Sequence, residues 1–203
     1  MYKHVNVKNE KSVILDKMKE SLSIFNENDE LTFFNVVDFL GCYLSALFES
    51  HYSASDCCNT ANTLEKLFQI SDYNKVDISS VEELENILYL DGNYFYNFKL
   101  FPKSLPFHTF TVVKYDNNWF LLQSFSGTCY LFVNEDPLLP EYILNFLKDP
   151  TTDRFNQLFN SKVEEYVNIE TKDVKITLYY TSFNTLPTQQ LLNLIQNFIK
   201  YNS

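Results

Sequence analysis

Glycine is nearly absent from this sequence, with three residues among 203. Loops that cradle phosphate groups need glycines at fixed spacing, and the chain contains neither a G-x-G-x-x-G nor a G-x-x-x-x-G-K pattern. So few glycines are also poorly suited to an all-β barrel with many tight turns. The sequence therefore does not indicate a nucleotide-binding protein, and we expect no cofactor.

Arginine is equally scarce, since Arg154 is the only one beside fifteen lysines, and the formal net charge is −10. The lysines are scattered along the chain and form no stripe. This balance disfavours long-range attraction to nucleic acid or to an anionic membrane. The acidity itself is typical of a solvated surface and does not indicate a basic partner.

Long apolar runs are missing as well. No stretch approaches the ~18 consecutive apolar residues of a membrane-spanning helix, and Met1 to Val5 lack the apolar segment of a signal peptide. We expect synthesis and folding in a cytoplasm, and export by a dedicated system stays open. Cysteines in that compartment are thiols rather than a disulfide framework. The four cysteines are Cys42, Cys57, Cys58 and Cys129.

The residues that are abundant suffice for one hydrophobic core. Hydrophobic residues make up 45% of the chain and aromatic residues 17%, and a domain of this length buries about 70% of its unfolded surface. We expect a single domain over 1–203, with an N-terminal helical segment (1–30), a core (31–133) and C-terminal helices with a strand (134–203). The composition leaves the oligomeric state open.

Four segments in the first half have helical periodicity or helix-start signals. They are Lys11–Phe25, Asp38–Glu49, a helix from Ser55 or Asp56 to Gln69, and Val76–Tyr89. The second is apolar nearly all round, which predicts a helix inside the core. The fourth contains a Ser-x-x-Glu capping box within Ser79–Glu83. Leu31–Val37 is rich in aromatic and β-branched residues, which predicts a short buried strand or an extended loop.

The periodicity changes at Phe107. Thr109–Tyr115 and Trp119–Ser124 are rich in β-branched and aromatic residues, and Asp116-Asn117-Asn118 between them supplies turn residues, so the sequence predicts a β-hairpin within 107–127. Further predicted elements are a strand at Cys129–Val133, helical pieces within Pro137–Phe159, a strand at Val174–Phe183 and a helix at Leu186–Tyr201. The fold class predicted is α+β, with an antiparallel sheet between helical segments.

One histidine has a position suited to chemistry. His108 stands at the start of the predicted hairpin, and strand ends project side chains at a rim where clefts form and a general base is useful. Gln123 ends the return strand, where it would accept the proton of one ring nitrogen of His108 and fix the tautomer. The alternative is that His108 has only a structural role, as a hydrogen-bonded histidine at the end of a strand.

A candidate nucleophile lies in the predicted core helix. Cys42 is near the start of that helix, where the macrodipole and free backbone N–H groups lower a thiol pKa. The same N–H groups can contribute to an oxyanion hole. Alternatively, Cys42 fills core space as a small apolar residue.

Three short segments resemble the papain-like cysteine peptidase superfamily. They are Gly41-Cys42-Tyr43 with Ser45-Ala46, then Phe107-His108-Thr109-Phe110, and Gln123-Ser124-Phe125-Ser126-Gly127. The order of cysteine, histidine and polar residue is similar to that of its compact members, including bacteriocin-leader peptidase-like domains and papain-fold toxins, over Leu31–Val133. The resemblance implies a papain-like fold and a thiol-dependent hydrolase or acyl transferase acting on a peptide, isopeptide or amide bond of a peptide or protein substrate. Cys42 would be the nucleophile, His108 the base and Gln123 the orienting residue.

The sequence also departs from that family. Gln123 stands where the family has Asn or Asp, and the glutamine expected before the cysteine is missing, which leaves Asn35 as the nearest amide donor. Alternative functions are a non-catalytic interaction protein or a structural protein, viral or a bacterial effector, on the same scaffold.

Other residue clusters suggest weaker hypotheses. Cys57-Cys58 is a rival thiol site at a predicted helix start. A zinc site of His51, Cys57, Cys58 and His108 is disfavoured, because adjacent cysteines cannot easily both point at one tetrahedral metal. The aromatic residues of Tyr94–Phe101 predict core or a flap, and a substrate-shaping loop stays open because they precede His108.

Overall fold

The computed structural model describes residues 56–102, 108–124, 131–159 and 174–202, together with nine single residues between 16 and 37. Five helices and six strands have defined bounds within the described ranges. The helices are α1 (Asp56–Leu67), α2 (Val81–Leu88), α3 (Leu139–Lys148), α4 (Thr152–Phe159) and α5 (Thr188–Asn202). The strands are β1 (Asn74–Asp77), β2 (Tyr94–Pro102), β3 (His108–Tyr115), β4 (Asn118–Ser124), β5 (Leu131–Glu135) and β6 (Val174–Ser182).

The six strands form one sheet in the order β1-β6-β2-β3-β4-β5. The pairs β1–β6, β6–β2 and β2–β3 are antiparallel, and β6 returns from the far end of the chain to lie between β1 and β2. The predicted α+β class with an antiparallel sheet that contains the hairpin is therefore confirmed.

The hairpin turn follows from its two central residues. Asp116 has φ 47° and Asn117 has φ 63°, a left-handed conformation that Asn and Asp adopt more readily than most residues. Two such residues between strands make the type I′ turn, whose twist matches that of the flanking strands. The backbone N–H of Asp116 also donates to Asn93 Oδ1 at 3.0 Å, which ties the turn to the segment before β2.

The capping box at the start of α2 is present. Ser80 Oγ accepts a hydrogen bond from the backbone N–H of Glu83 at 3.1 Å. The carboxylate of Glu83 in turn accepts from both the backbone N–H and the hydroxyl of Ser79, each at 2.9 Å, and these bonds lower its pKa. The prediction of one helix over Val76–Tyr89 is wrong at its start, since Val76 and Asp77 belong to β1 and pair with β6.

The apolar segment Leu31–Val37 was assigned wrongly from its sequence, whereas the segment Tyr94–Phe101 was predicted correctly in part. Phe33, Phe34, Val36 and Val37 are helical and buried, so the strand or loop predicted over Leu31–Val37 is wrong. Tyr94–Pro102 is strand β2 in the middle of the sheet and not a flap, although its prediction as core is confirmed by the burial of Phe95, Tyr96 and Phe98. Both segments contain consecutive buried residues, such as Phe33 and Phe34 or Phe95 and Tyr96, and these show no alternation from which the period could be determined.

Predictions for the remaining elements are confirmed, with small shifts of their ends. The helix predicted from Ser55 or Asp56 is α1, the helical pieces before Phe159 are α3 and α4, and the closing helix is α5. The late strand is β6, and the strand predicted at Cys129–Val133 is β5, displaced toward the C-terminus. The described residues of Lys11–Phe25 are helical. Cys42 and the rest of Asp38–Glu49 lie outside the described residues.

The chain divides into two compact units. One comprises 72–121 and 134–183, and in it Tyr96 donates through its hydroxyl to the carbonyl oxygens of Ile87 and Leu88 at 3.2 and 3.3 Å, which holds the end of α2 to the sheet. The other comprises 1–71, 122–133 and 184–203, and in it Phe33 packs edge-on against Phe68 with ring centroids 6.1 Å apart. The expectation of a single domain over 1–203 stays a prediction.

Candidate functional site

The three residues of the proposed site are described to different extents. Cys42 lies outside the described residues, as do Asn35 and His51. Gln123 lies in β4, the strand next to β3, but its side chain is not among those described. The arrangement of Cys42, His108 and Gln123 therefore stays a prediction, and His108 is the member whose side-chain surroundings the structure describes.

His108 is the first residue of β3 and lies opposite Leu100 of β2. The residue is half-buried, and its Nε2 atom is shielded from solvent. Because side chains alternate along a strand, His108 and Phe110 project from the same face of the sheet, and their rings stack with centroids 6.2 Å apart and planes 21° apart. One side of the imidazole is therefore in contact with Phe110, a residue of the same strand.

Helix α4 supplies the other contacts to the imidazole. Phe159 meets the His108 ring edge-on at 5.4 Å and 89°, and Phe155 lies 6.4 Å away. These two phenylalanines are four residues apart and so share one face of α4. The imidazole is thereby restrained by three aromatic rings from two elements.

A phenylalanine cluster extends behind His108 into the core. Its members are Phe98, Phe110, Phe146, Phe155 and Phe159. Phe98 and Phe110 stack at 4.7 Å with planes 3° apart, and Phe110 meets Phe159 edge-on at 5.0 Å. Phe155 contacts Phe159 at 4.4 Å and Phe146 of α3 at 6.1 Å. Each such pair contributes about 0.5–1.5 kcal/mol beyond its buried area, so the cluster fixes α4 against the sheet and with it the position of His108.

The single arginine of the sequence fastens α4 to α3. Arg154 donates from Nη1 to the backbone oxygen of Asn145 in α3, and its Nη2 lies 3.5 Å from Asp149 Oδ2. The start of α4 is capped as well, because Thr151 Oγ1 accepts from the backbone N–H of Arg154 at 3.3 Å. These contacts place Phe155 and Phe159 beneath His108, and neither was singled out by the sequence analysis.

The opposite face of the central strands carries buried polar side chains. Asn97 lies directly opposite Thr111, and both are 1% exposed. Thr109 and Thr177 are also buried on this face. The hydroxyl of Thr111 has no hydrogen-bond partner within the structure, which is unusual for a buried polar atom. The sequence contained a signal for this row, since Thr109 and Thr111 alternate with apolar neighbours.

The alternative thiol site, Cys57 and Cys58, lies in helix α1. Cys57 is buried and Cys58 half-buried, and both are thiols, not disulfide-bonded, in the first turn of the helix. Among the described residues no group of histidine, cysteine, aspartate and glutamate could hold a metal ion. His51 of the disfavoured zinc site lies outside them. None of the helices described is long and apolar enough to cross a bilayer.

Comparisons with known proteins found distant structural similarity and no sequence relatives. No family model and no curated protein matches the chain. The structure is similar to that of CHBP, the Cif homologue from Burkholderia pseudomallei, with 15% identity, 96% of this chain and 99% of that chain covered, and a TM-score of 0.48. It is also similar to MvcA from Legionella pneumophila (11% identity, 94% and 85% covered, TM-score 0.46) and to an uncharacterized protein of that organism, LPG2148 (10% identity, 94% and 84% covered, TM-score 0.45). Similarity at this level assigns no activity to this chain.

Proposed function

We propose that this protein is a thiol-dependent hydrolase or acyl transferase that acts on a peptide, isopeptide or amide bond. Cys42 is the nucleophile, His108 the general base and then the general acid, and Gln123 the residue that orients the imidazole. The observation that carries the proposal is the position of His108, a restrained, half-buried imidazole at the first residue of β3, next to the strand that contains Gln123.

The chemistry requires one proton relay. His108 accepts the proton of the Cys42 thiol, and the thiolate attacks the carbonyl carbon of the substrate. The carbon–nitrogen bond then breaks, the departing amine takes the proton from His108, and a thioester on Cys42 remains. Attack on the thioester by water gives hydrolysis or deamidation, and attack by an amine gives acyl transfer.

The surroundings of His108 support its role as the base. A general base works best when its ring is held in one orientation, and Phe110, Phe155 and Phe159 restrict the imidazole on this side. A glutamine orients the other ring nitrogen without adding negative charge. Gln123 lies in β4, and β4 is hydrogen-bonded to β3, the strand that begins with His108. This proximity of the two strands supports the assignment.

Labelling by a thiol-directed electrophile tests the nucleophile. Wild-type protein should react at neutral pH with a limiting amount of iodoacetamide at one site, and Cys42→Ala should abolish that rapid reaction. Cys57→Ala and Cys58→Ala are the matched controls, since they remove thiols at another helix start, and they should leave it unchanged. Rapid labelling that persists in Cys42→Ala and disappears in Cys58→Ala would reject Cys42 and assign the reactive thiol to α1.

One observation favours the alternative of a non-catalytic interaction or structural protein. His108 packs among phenylalanines as a core residue does, and its Nε2 is shielded from solvent. His108→Phe separates the two functions, because phenylalanine retains aromatic packing but cannot accept a proton. The catalytic function predicts a labelling rate at Cys42 that falls by about tenfold or more, because without the imidazole the thiol is ionised only to a few per cent at neutral pH. An unchanged rate would favour the non-catalytic protein.

A further inference from the structure

Three lysines that are scattered in the sequence meet on one face of the sheet. Lys75 of β1 lies opposite Tyr179 of β6, and Lys99 of β2 lies opposite Thr177 of β6. Lys175 of β6 lies opposite Phe101 of β2. Because cross-strand partners project to the same side of a sheet, these side chains share the face that carries Thr177.

Two of the lysines are held over one aromatic ring. Lys99 Nζ lies 4.6 Å from the centroid of the Tyr179 ring, and Lys75 Nζ lies 5.8 Å from it. Both distances are within the range of cation–π attraction. Tyr179 is itself packed edge-on against Tyr73 at 5.9 Å. We call Lys75, Lys99, Lys175, Tyr179 and Phe101 the lysine–tyrosine patch.

The patch is positively charged in a protein of net charge −10. The acidic neighbour within this group of contacts is Asp77, whose Oδ2 lies 3.1 Å from Lys175 Nζ and whose Oδ1 accepts from the Thr177 hydroxyl at 2.6 Å. These hydrogen bonds lower the pKa of Asp77, so it is ionised at neutral pH. Among the described side chains in these contacts, three ammonium groups meet one carboxylate, so this group carries more positive than negative charge.

The patch is accessible and contains apolar surface. The side chain of Lys175 is 63% exposed, and Phe101 is 42% exposed. Lys75 is exposed, whereas Lys99 and Tyr179 are half-buried. Toward β3 the same face becomes buried at Thr109 and Thr111, which bounds the patch on that side. An occupant would therefore meet charge and aromatic surface together.

We propose that the lysine–tyrosine patch binds an acidic segment of a partner protein. Charge complementarity selects an anionic occupant, and the exposed ring of Phe101 offers a contact for an apolar side chain of that segment. A long polyanion is disfavoured because its charges beyond the patch meet a surface that is acidic on balance, and only charges within about 8 Å act strongly at physiological salt. The binding does not depend on the thiol chemistry proposed for Cys42.

Fluorescence anisotropy with an acidic probe tests this surface. The probe is a short fluorescein-labelled peptide of glutamate and aspartate around one phenylalanine. Binding to wild-type protein should be saturable and should weaken with added salt. The variant Lys75→Gln/Lys99→Gln/Lys175→Gln should bind at least about tenfold more weakly, because each contact to an exposed charge contributes modestly and three are lost.

A matched variant distinguishes an effect of the patch on binding from an effect of the protein's net charge. Lys66, Lys148 and Lys200 are exposed lysines outside the patch, and replacing all three with Gln changes the net charge by the same amount. This control and the triple replacement of the patch lysines by Arg should both bind as wild type does. The Arg variant also guards against misfolding as the cause of a loss.

Three outcomes would overturn the proposal. The first is an absence of binding to wild-type protein, and the second is an equal loss in both Gln variants, which would show that net charge alone acts. The third is tighter binding of single-stranded DNA, or of vesicles containing phosphatidylserine, than of the acidic peptide. None of these outcomes alters the labelling result at Cys42, so the two proposals fail independently.

Discussion

The two faces of the sheet differ in what their buried side chains can do. The face of His108, which we call the aromatic face, carries Phe98, Phe110 and Tyr96, and α4 packs on it through Phe159. The opposite face, which we call the polar face, buries Asn97, Thr109, Thr111 and Thr177 and continues into the lysine–tyrosine patch. Aromatic packing gives shape and rigidity, whereas polar side chains give directional contacts. The same strands thus fix an imidazole on one side and present charge on the other.

The largest loss of stability is expected when a buried side chain of the aromatic face is removed. Phe159→Ala should lower the free energy of unfolding by about 3–5 kcal/mol, because Phe159 is 2% exposed and contacts His108, Phe110 and Phe155. Urea unfolding followed by circular dichroism measures the change. Phe101→Ala on the polar face is the matched control, and because its ring is 42% exposed the loss should be clearly smaller, below about 2 kcal/mol. Equal losses in both variants would contradict the assigned difference between the faces.

A smaller effect of opposite sign is expected on the polar face. Thr111→Val should raise the free energy of unfolding by about 1 kcal/mol, because it keeps the β-branched shape and removes a buried hydroxyl that has no hydrogen-bond partner. Thr177→Val is the matched control, since Thr177 donates to Asp77 at 2.6 Å, and it should destabilise. Thermal unfolding of both variants measures whether each is stabilised or destabilised. A destabilised Thr111→Val variant would show that the wild-type Thr111 hydroxyl forms a hydrogen bond in solution.

The smallest effects are expected in acid, with one carboxylate for each face. The pKa of Asp77 is lowered by hydrogen bonds from Thr177 and Lys175 on the polar face. The pKa of Glu83 is lowered by hydrogen bonds from Ser79 at the start of α2, the helix that Tyr96 holds on the aromatic face. Each group is more acidic when folded, so its stabilisation is present above the ordinary pKa of about 4 and is lost as the pH falls through the folded value.

Asp77→Asn and Glu83→Gln should therefore each reduce the loss of stability between neutral pH and about pH 2. Urea midpoints measured across this range give the slope for each variant. Asp116→Asn serves as a control, because it removes an exposed carboxylate at the hairpin turn, where asparagine also adopts the left-handed backbone conformation. A slope unchanged from wild type in either variant would show that the corresponding hydrogen bonds do not persist in solution.

Local signals predicted the elements whose conformation depends on neighbours in sequence. Asp116 and Asn117 adopt left-handed backbone angles with little strain, so the hairpin was predicted correctly. The capping box of Ser80 and Glu83 was also identified correctly, because a cap acts over three residues, although the predicted helix began too early, at Val76. The segment Leu31–Val37 was assigned wrongly, and Tyr94–Phe101 was predicted as core or a flap but not as a strand. Consecutive buried residues, such as Phe33 and Phe34, hide the periodicity that would distinguish a helix from a strand.

The candidate site was predicted only in part. His108 was identified from its place before the hairpin, and it does open β3. The rings that restrain it, Phe155 and Phe159, lie more than forty residues downstream on α4, and no local pattern linked them to a histidine. The roles of Cys42, His108 and Gln123 stay predictions.

The sequence by itself determined the α+β class, the hairpin and the histidine at its start, because turns, caps and alternating side chains are set by residues close along the chain. The tertiary structure alone decided which distant residues meet. Lys75, Lys99 and Lys175 form no stripe in the sequence, yet β6 lies between β1 and β2 and brings them around Tyr179. Strand order and register arise from the packing of whole elements, and for that reason no reading along the chain assigns the lysine–tyrosine patch.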